Sequence, residues 1–137
     1  MGPKETVQAW FERVWNQGDE AAIDDLFAKT AISHGLPGGD IVGSAAFKPF
    51  AKKFRSAIPN IKITILRSVT EGNSCAAFCE VVGTHTGDHL GFSATGSPVH
   101  FTGTVFVRVE NGQIQEGWNS FDFLTFYQQL GHVPELG

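Results

Sequence analysis

The sequence predicts an α+β fold in which a curved antiparallel sheet wraps, cone-like, over N-terminal helices. Two observations lead there. Apolar residues recur at helical spacing through the first part of the chain, and from Ile61 onward the spacing changes to the alternation of half-buried strands. The Asn111-Gly112 pair between two such runs is a strong hairpin signal. Helices first and strands afterwards places the helices on one face of the sheet. Gly83, Gly103 and Gly117 inside the strand runs suit the sharp bending that closes a sheet into a cone.

From Lys4 to Asn16, Val7, Trp10, Phe11, Val14 and Trp15 form one buried helical stripe, and Gly18 follows as a left-handed cap. Asp19 is placed to cap a short second helix carrying Ile23, Leu26 and Phe27. The His34-Gly35-Leu36-Pro37-Gly38-Gly39 stretch reads as a loop, at the end of a short strand from Ala31. A third helix opens at Ser44 with Phe47, Phe50, Phe54 and Ala57 on one face. Pro49 either lies in its first turn or kinks it. Strands follow over Ile61 to Val69, Asn73 to His85, Val99 to Glu110 and Gln113 to Asp122, with a Gly/Ser/Thr/Pro-rich connection at 86–98. Leu124 to Leu130 forms a last helix that stops at Gly131.

The 137 residues, 42% of them apolar, suffice for one domain, residues 1–137, with a core that needs no staples. A net charge of −4 without a basic stripe argues against nucleic acid. No apolar run approaches the ~20 residues of a membrane span, and no signal peptide is evident, so a cytoplasmic protein is expected. Cys75 and Cys79, four apart in one strand, lie ~13 Å from each other, beyond the ~7 Å a disulfide spans. They read as small buried residues on one face. Two histidines and one acid, His85, Asp88 and His89, in a glycine-rich loop are too few to hold a metal convincingly.

The candidate chemistry lies near the C-terminal end. Asp122 is surrounded in sequence by Trp118, Phe121, Phe123 and Phe126. Desolvation among aromatic rings would raise its pKa and fit it for acid/base work, while the competing role is that of a helix cap. Strict alternation puts Ile114, Glu116, Trp118, Ser120 and Asp122 on one face, and Asn119 and Phe121 on the other unless a bulge intervenes. Twelve phenylalanines can line an aromatic cavity as well as fill a core. Trp15, Phe50, Phe54, Phe78, His85, Phe106 and Trp118 are the expected substrate contacts, with Asp122, His34 and Asn119 the expected catalytic set.

Several motifs line up along the chain: His34-Gly35, Phe54 with Ala57-Ile58-Pro59-Asn60, Gly72-Asn73, Gly83-Thr84-His85-Thr86-Gly87, Gly91 with Thr95-Gly96, Gly103, Arg108, Asn111-Gly112-Gln113-Ile114, Trp118, Asp122 and Gln129-Leu130-Gly131. In this order they resemble the SnoaL-like polyketide cyclases over nearly the whole chain. The resemblance implies a cone-shaped NTF2-like, cystatin-like α+β barrel, usually a homodimer, that closes rings by an intramolecular aldol reaction without metal or cofactor. It gives Asp122 the acid/base role on a hydrophobic small molecule. In that reaction His34 and Asn119 are the expected hydrogen-bond donors to the developing enolate. This chain has Phe78 where the family often has arginine, Ala94-Thr95-Gly96 where it has Pro-Thr-Gly, and Gly72-Asn73 where it has Gly-Asp. The same apparatus could serve isomerisation, dehydration or hydrolysis, or bind a hydrophobic molecule without turnover.

Overall fold

The structure, a computed structural model, describes residues 1–132. The first helix, α1 (Pro3–Ala9), runs directly into a π-helical segment, Trp10–Asn16. The wider π turn buries Trp10, Phe11, Val14 and Trp15 together. Asn16 at its end pairs with the backbone of Ile63, donating to its carbonyl at 2.9 Å and accepting from its N–H at 2.7 Å. The second helix, α2 (Ala21–Leu26), has no side-chain cap: the Asp19 carboxylate accepts from Arg13 at 3.0 Å instead. Strand β1 (Phe27–His34) starts at Phe27, which the sequence pattern had assigned to the helix. A two-residue strand, β2 (Ile41–Val42), pairs with it. Helix α3 (Ser44–Ala57) begins at Ser44 and runs through Pro49 in its interior.

Four long strands follow: β3 (Lys62–Glu71), β4 (Ser74–Thr84), β5 (Pro98–Glu110) and β6 (Gln113–Phe121), then α4 (Phe123–Gln129). The sheet order is β2-β1-β6-β5-β4-β3. The β3–β6 meander is antiparallel as expected, but β1 joins it parallel to β6, a pairing that local patterns cannot reveal. Asn111 and Gly112 both adopt positive φ, 54° and 72°, as the β5–β6 hairpin turn requires.

The curved, unclosed sheet folds over the helices, and aromatic rings link the two layers. Trp10 stacks on Phe27 at 5.5 Å and meets the edge of Phe47 at 4.9 Å. Phe50 lies 4.9 Å from Phe54, and Phe54 6.1 Å from Phe126, which touches Phe101 at 5.2 Å. Each such pair contributes about 0.5–1.5 kcal/mol beyond its buried area.

The three strand glycines do different work. A Cβ on Gly83 would meet the Ile58 side chain at 2.3 Å, and one on Gly103 would meet the backbone of Phe121 at 2.5 Å. At Gly117 the nearest atom is Val107 Cγ1 at 3.7 Å, an ordinary contact. Gly103→Ala is therefore expected to destabilise the fold by about 1–3 kcal/mol in urea unfolding, through overpacking where no backbone relief is available, and Gly117→Ala by much less.

Candidate functional site

Between the helices and the concave side of the sheet lies a cavity of about 70 Å³. Val7, Trp10, Phe11 and Trp15 line it from the first helical segment, and Phe47, Phe50 and Phe54 from α3. Val81, Phe101, Val105, Val107, Ile114, Gly117, Asn119 and Phe121 line it from the sheet, with Phe123 at the start of α4. Its volume is about half the ~150 Å³ of an engineered apolar cavity that holds benzene. A larger molecule would enter only with movement of the aromatic walls.

No lining side chain ionises near neutral pH. The hydrogen-bonding side chains are Ser33, Asn119 and the donor-only indoles of Trp10 and Trp15. Ser33 is buried at the end of β1, directly across from Gly117. The Asn119 amide donates to Ser33 Oγ at 2.9 Å and to the His34 carbonyl at 2.7 Å. Both amide protons are thus committed to the protein, and the part left over is the oxygen Oδ1, an acceptor. The expected role of Asn119 as a donor to substrate does not fit this arrangement. Gly35, at φ +83°, passes so close to the Asn119 carbonyl that a Cβ would sit 2.1 Å from it. This tight crossing turns Leu36 inward to the cavity.

A β-bulge decides which residues of β6 reach the cavity. The β5–β6 register pairs Arg108 with Glu116 and Val109 with Ile114, leaving Gln115 as the extra residue. Alternation restarts there, so Gly117, Asn119 and Phe121 face inward and Glu116 and Trp118 outward. Of the expected substrate contacts, Trp15, Phe50 and Phe54 line the cavity. Phe78, Phe106 and Trp118 lie on the convex face, 38%, 46% and 42% exposed. For Phe78 and Phe106 the reason is simple strand parity, since Cys79 and Val105 beside them point inward.

His34 also belongs to the convex side. Its Nε2 lies 2.7 Å from Glu116 Oε2 and its Nδ1 3.1 Å from Asp40 Oδ2, and its ring stacks on Trp118 at 5.6 Å. The hydrogen bond to Glu116, then that to Asp40, raises its pKa. The partnership with Asp40 has no local signature in the sequence, because it depends on the glycine-rich loop after β1 folding back beside the β1–β6 pairing.

Asp122 is exposed and caps α4. Thr125 N–H donates to its Oδ1 at 3.0 Å and the Thr125 hydroxyl to its Oδ2 at 2.6 Å. These bonds favour the charged form, so its pKa is lowered, not raised. The neighbouring rings, Phe121 and Phe123, turn into the cavity and leave the carboxylate outside at its rim.

His85 is fully buried beneath the 86–97 connection and is not a cavity residue. Thr95 N–H donates to its Nδ1 at 3.1 Å, which puts the proton of the neutral ring on Nε2, a nitrogen with no partner among the described residues. Desolvation lowers its pKa. Among the described residues no group of three His, Cys, Asp or Glu is arranged to hold a metal. Cys75 and Cys79 are free and buried, and burial pushes the Cys79 thiol up to about 12.

The family model of the SnoaL-like polyketide cyclases matches residues 5–130. The chain belongs to that family. The SnoaL-like assignment agrees with solved structures. IdmH, a proposed polyketide cyclase from Streptomyces antibioticus, is 27% identical with a TM-score of 0.81, over 96% of this chain and 99% of its own. A proposed polyketide cyclase from Bacillus cereus is 28% identical with a TM-score of 0.80, over 94% of this chain and 80% of its own. AclR, a proposed hydroxylase from Streptomyces galilaeus, shares the fold at 20% identity and a TM-score of 0.80, over 99% of this chain and 87% of its own. No curated protein matches the chain by sequence. No helix among the described residues is long and apolar enough to cross a membrane.

The two histidines of this SnoaL-like chain give opposite pH dependences. His85, with its pKa lowered, contributes fully above the ordinary histidine value of 6.5 and loses that contribution as pH falls from there through its lowered value. His34, with its pKa raised, contributes fully below 6.5 and loses its contribution as pH rises through the raised value. Thermal unfolding from roughly pH 7.5 down to 5.5 should show a smaller drop in midpoint for His85→Gln than for the unaltered protein, and a larger drop for His34→Gln.

Proposed function

We propose that this chain is a cofactor-free enzyme of the polyketide-cyclase type, acting on a small, largely apolar carbonyl compound. The cavity carries this reading. Its walls are mostly aromatic and aliphatic, with Ser33 and Asn119 the only non-aromatic polar side chains, so a flexible chain admitted by movement of the walls would be held folded and shielded from water. IdmH and the Bacillus cereus protein, both proposed polyketide cyclases, support the substrate class.

The reaction is an intramolecular aldol closure. A base takes a proton from a carbon beside one carbonyl. That carbon forms the new C–C bond to a second carbonyl carbon, whose π pair moves to oxygen and takes up a proton. No atom is gained or lost, and no oxidant is needed. Asp122 is the base of this proposal: it stands between Phe121 and Phe123, both of which line the cavity, so the reacting carbon would lie at the rim. Its bonds to Thr125 make it a weak base at rest, and a substrate covering the rim would loosen them.

Asp122→Asn keeps a good helix cap and removes the charge, so it separates chemistry from folding. Turnover of a linear diketone able to close a ring should fall by about 10²–10⁴-fold in that variant, and undiminished turnover would sink the mechanism. The acid limb of kcat/KM should lie below the ordinary carboxylate value of 3.8, and Thr125→Ala should move it upward.

A second reading, ligand binding without turnover, is favoured by the absence of any ionisable lining residue. It holds if the protein and Asp122→Asn bind the same compound equally and neither converts it. The buried free thiols fit a reduced, cytoplasmic setting.

The proposed assembly is a homodimer through the convex face. Val69, Ala76, Phe106 and Trp118 stand side by side across four strands, and Val69 is 72% exposed. Arg67, Arg108 and Glu116 border this row, the mixture of signs a face needs to pair with itself. Phe106→Arg should convert a dimer into a monomer by light scattering; a protein already monomeric before substitution would refute the assembly.

A further inference from the structure

We infer that Ser33 and Asn119 together form a recognition point for a hydroxyl on an unsaturated carbon, an enol or a phenol, rather than for a plain ketone. The inference rests on the cavity being the ligand site. It deepens that reading by naming the group the cavity selects.

The hydrogen-bond inventory leads to it. Asn119 could in principle present either end of its amide to the cavity. The His34 carbonyl settles the orientation, because a carbonyl can only accept, so the NH₂ end must face it. The second amide proton goes to Ser33 Oγ. Two groups are then unused. Asn119 Oδ1 has no protein donor among the described residues. The Ser33 hydroxyl, which accepts from Asn119, has a proton of its own with no acceptor among the described residues. Ser33 is 4% exposed and lines the cavity, so bulk water does not readily supply the missing partner.

A single ligand hydroxyl satisfies both. Its oxygen accepts from Ser33 Oγ–H, and its proton goes to Asn119 Oδ1. A ketone or ether oxygen can take the first bond only, and then sets its lone pairs against those of Oδ1. The remaining donors around the cavity, the indoles of Trp10 and Trp15, cannot accept and so cannot replace Asn119. The aromatic walls favour a flat ligand over a saturated alcohol.

Gly117 supports the same corner. It faces Ser33 across the β1–β6 pairing, and a Cβ there would meet only Val107 Cγ1, at 3.7 Å. Neither backbone conformation nor packing requires glycine at this position. Its missing side chain leaves space next to the two unused groups. In chemical terms the corner fits the enol form of a cyclic 1,3-dicarbonyl compound, whose O–H cannot bond internally and is presented on a flat carbon framework.

The test uses small probes of similar shape: phenol, toluene and anisole, titrated into the isotopically labelled full-length protein and followed by amide chemical shifts. Phenol should bind at least about 10-fold more tightly than toluene or anisole, as two neutral hydrogen bonds allow. In Ser33→Ala the ratio of phenol to toluene affinity should shrink several-fold, since one of the two bonds is removed. Equal affinity of phenol and toluene for the unaltered protein would overturn the recognition point while leaving the cavity as a binding site. Binding of none of the three would overturn the cavity reading as well. Because the three probes are compared first on the unaltered protein, the outcome does not depend on how well Ser33→Ala folds.

Discussion

The extra residue at Gln115 is the constraint on which the rest of this molecule depends. One bulge in β6 changes strand parity between Ile114 and Gly117, both of which point inward. Without it, Trp118 and the Glu116 carboxylate would face the cavity, and Asn119 and Phe121 would face solvent. The bulge also lets β6 bend between its two partners, matching Ser33 with Gly117 on one side and Val107 with Gly117 on the other. The polar corner of the cavity is therefore a product of sheet geometry more than of any unusual residue.

A separation of charge follows from that parity. Ionisable groups of β1 and β6 gather on the convex side, where His34 bridges Glu116 and Asp40, and the concave side retains only neutral hydrogen-bonding groups. Burying an unpaired charge among aromatic rings would cost several kcal/mol, whereas a serine–asparagine pair needs no counter-ion. The nearest carboxylate is then at the rim, where Asp122 serves α4 as its cap. His85 is the exception, a buried imidazole held neutral beneath the 86–97 connection.

The periodicities that were legible are those set by neighbours close in sequence. The 3.6-residue stripe of the first helix, the meander from Ile61 onward and the positive-φ Asn111-Gly112 turn were all read from local patterns. Trp15, Phe50 and Phe54 line the cavity because a helix of known phase has one apolar face. Trp118 and Asp122 were misplaced because alternation was carried across Gln115, and nothing about a glutamine announces a bulge. Asp122 also shows that aromatic neighbours in sequence do not desolvate a carboxylate when they turn the other way. Ser33 escaped notice because its importance comes from Asn119, 86 positions away, through a parallel pairing that has no local signature.

The Asn16 side chain, which doubles as a strand partner for Ile63, bears on what the edge of the sheet can pair with. Strand β3 is the long free edge of the sheet, and its outer N–H and C=O groups could template pairing with a foreign strand. Asn16 occupies one such donor–acceptor pair from within the chain. A second irregularity, the register shift between Ile65 and Arg67, breaks the regular spacing of the edge a few residues on. The π-helical turn that packs the tryptophans thus also blunts the edge of the sheet against pairing with a foreign strand.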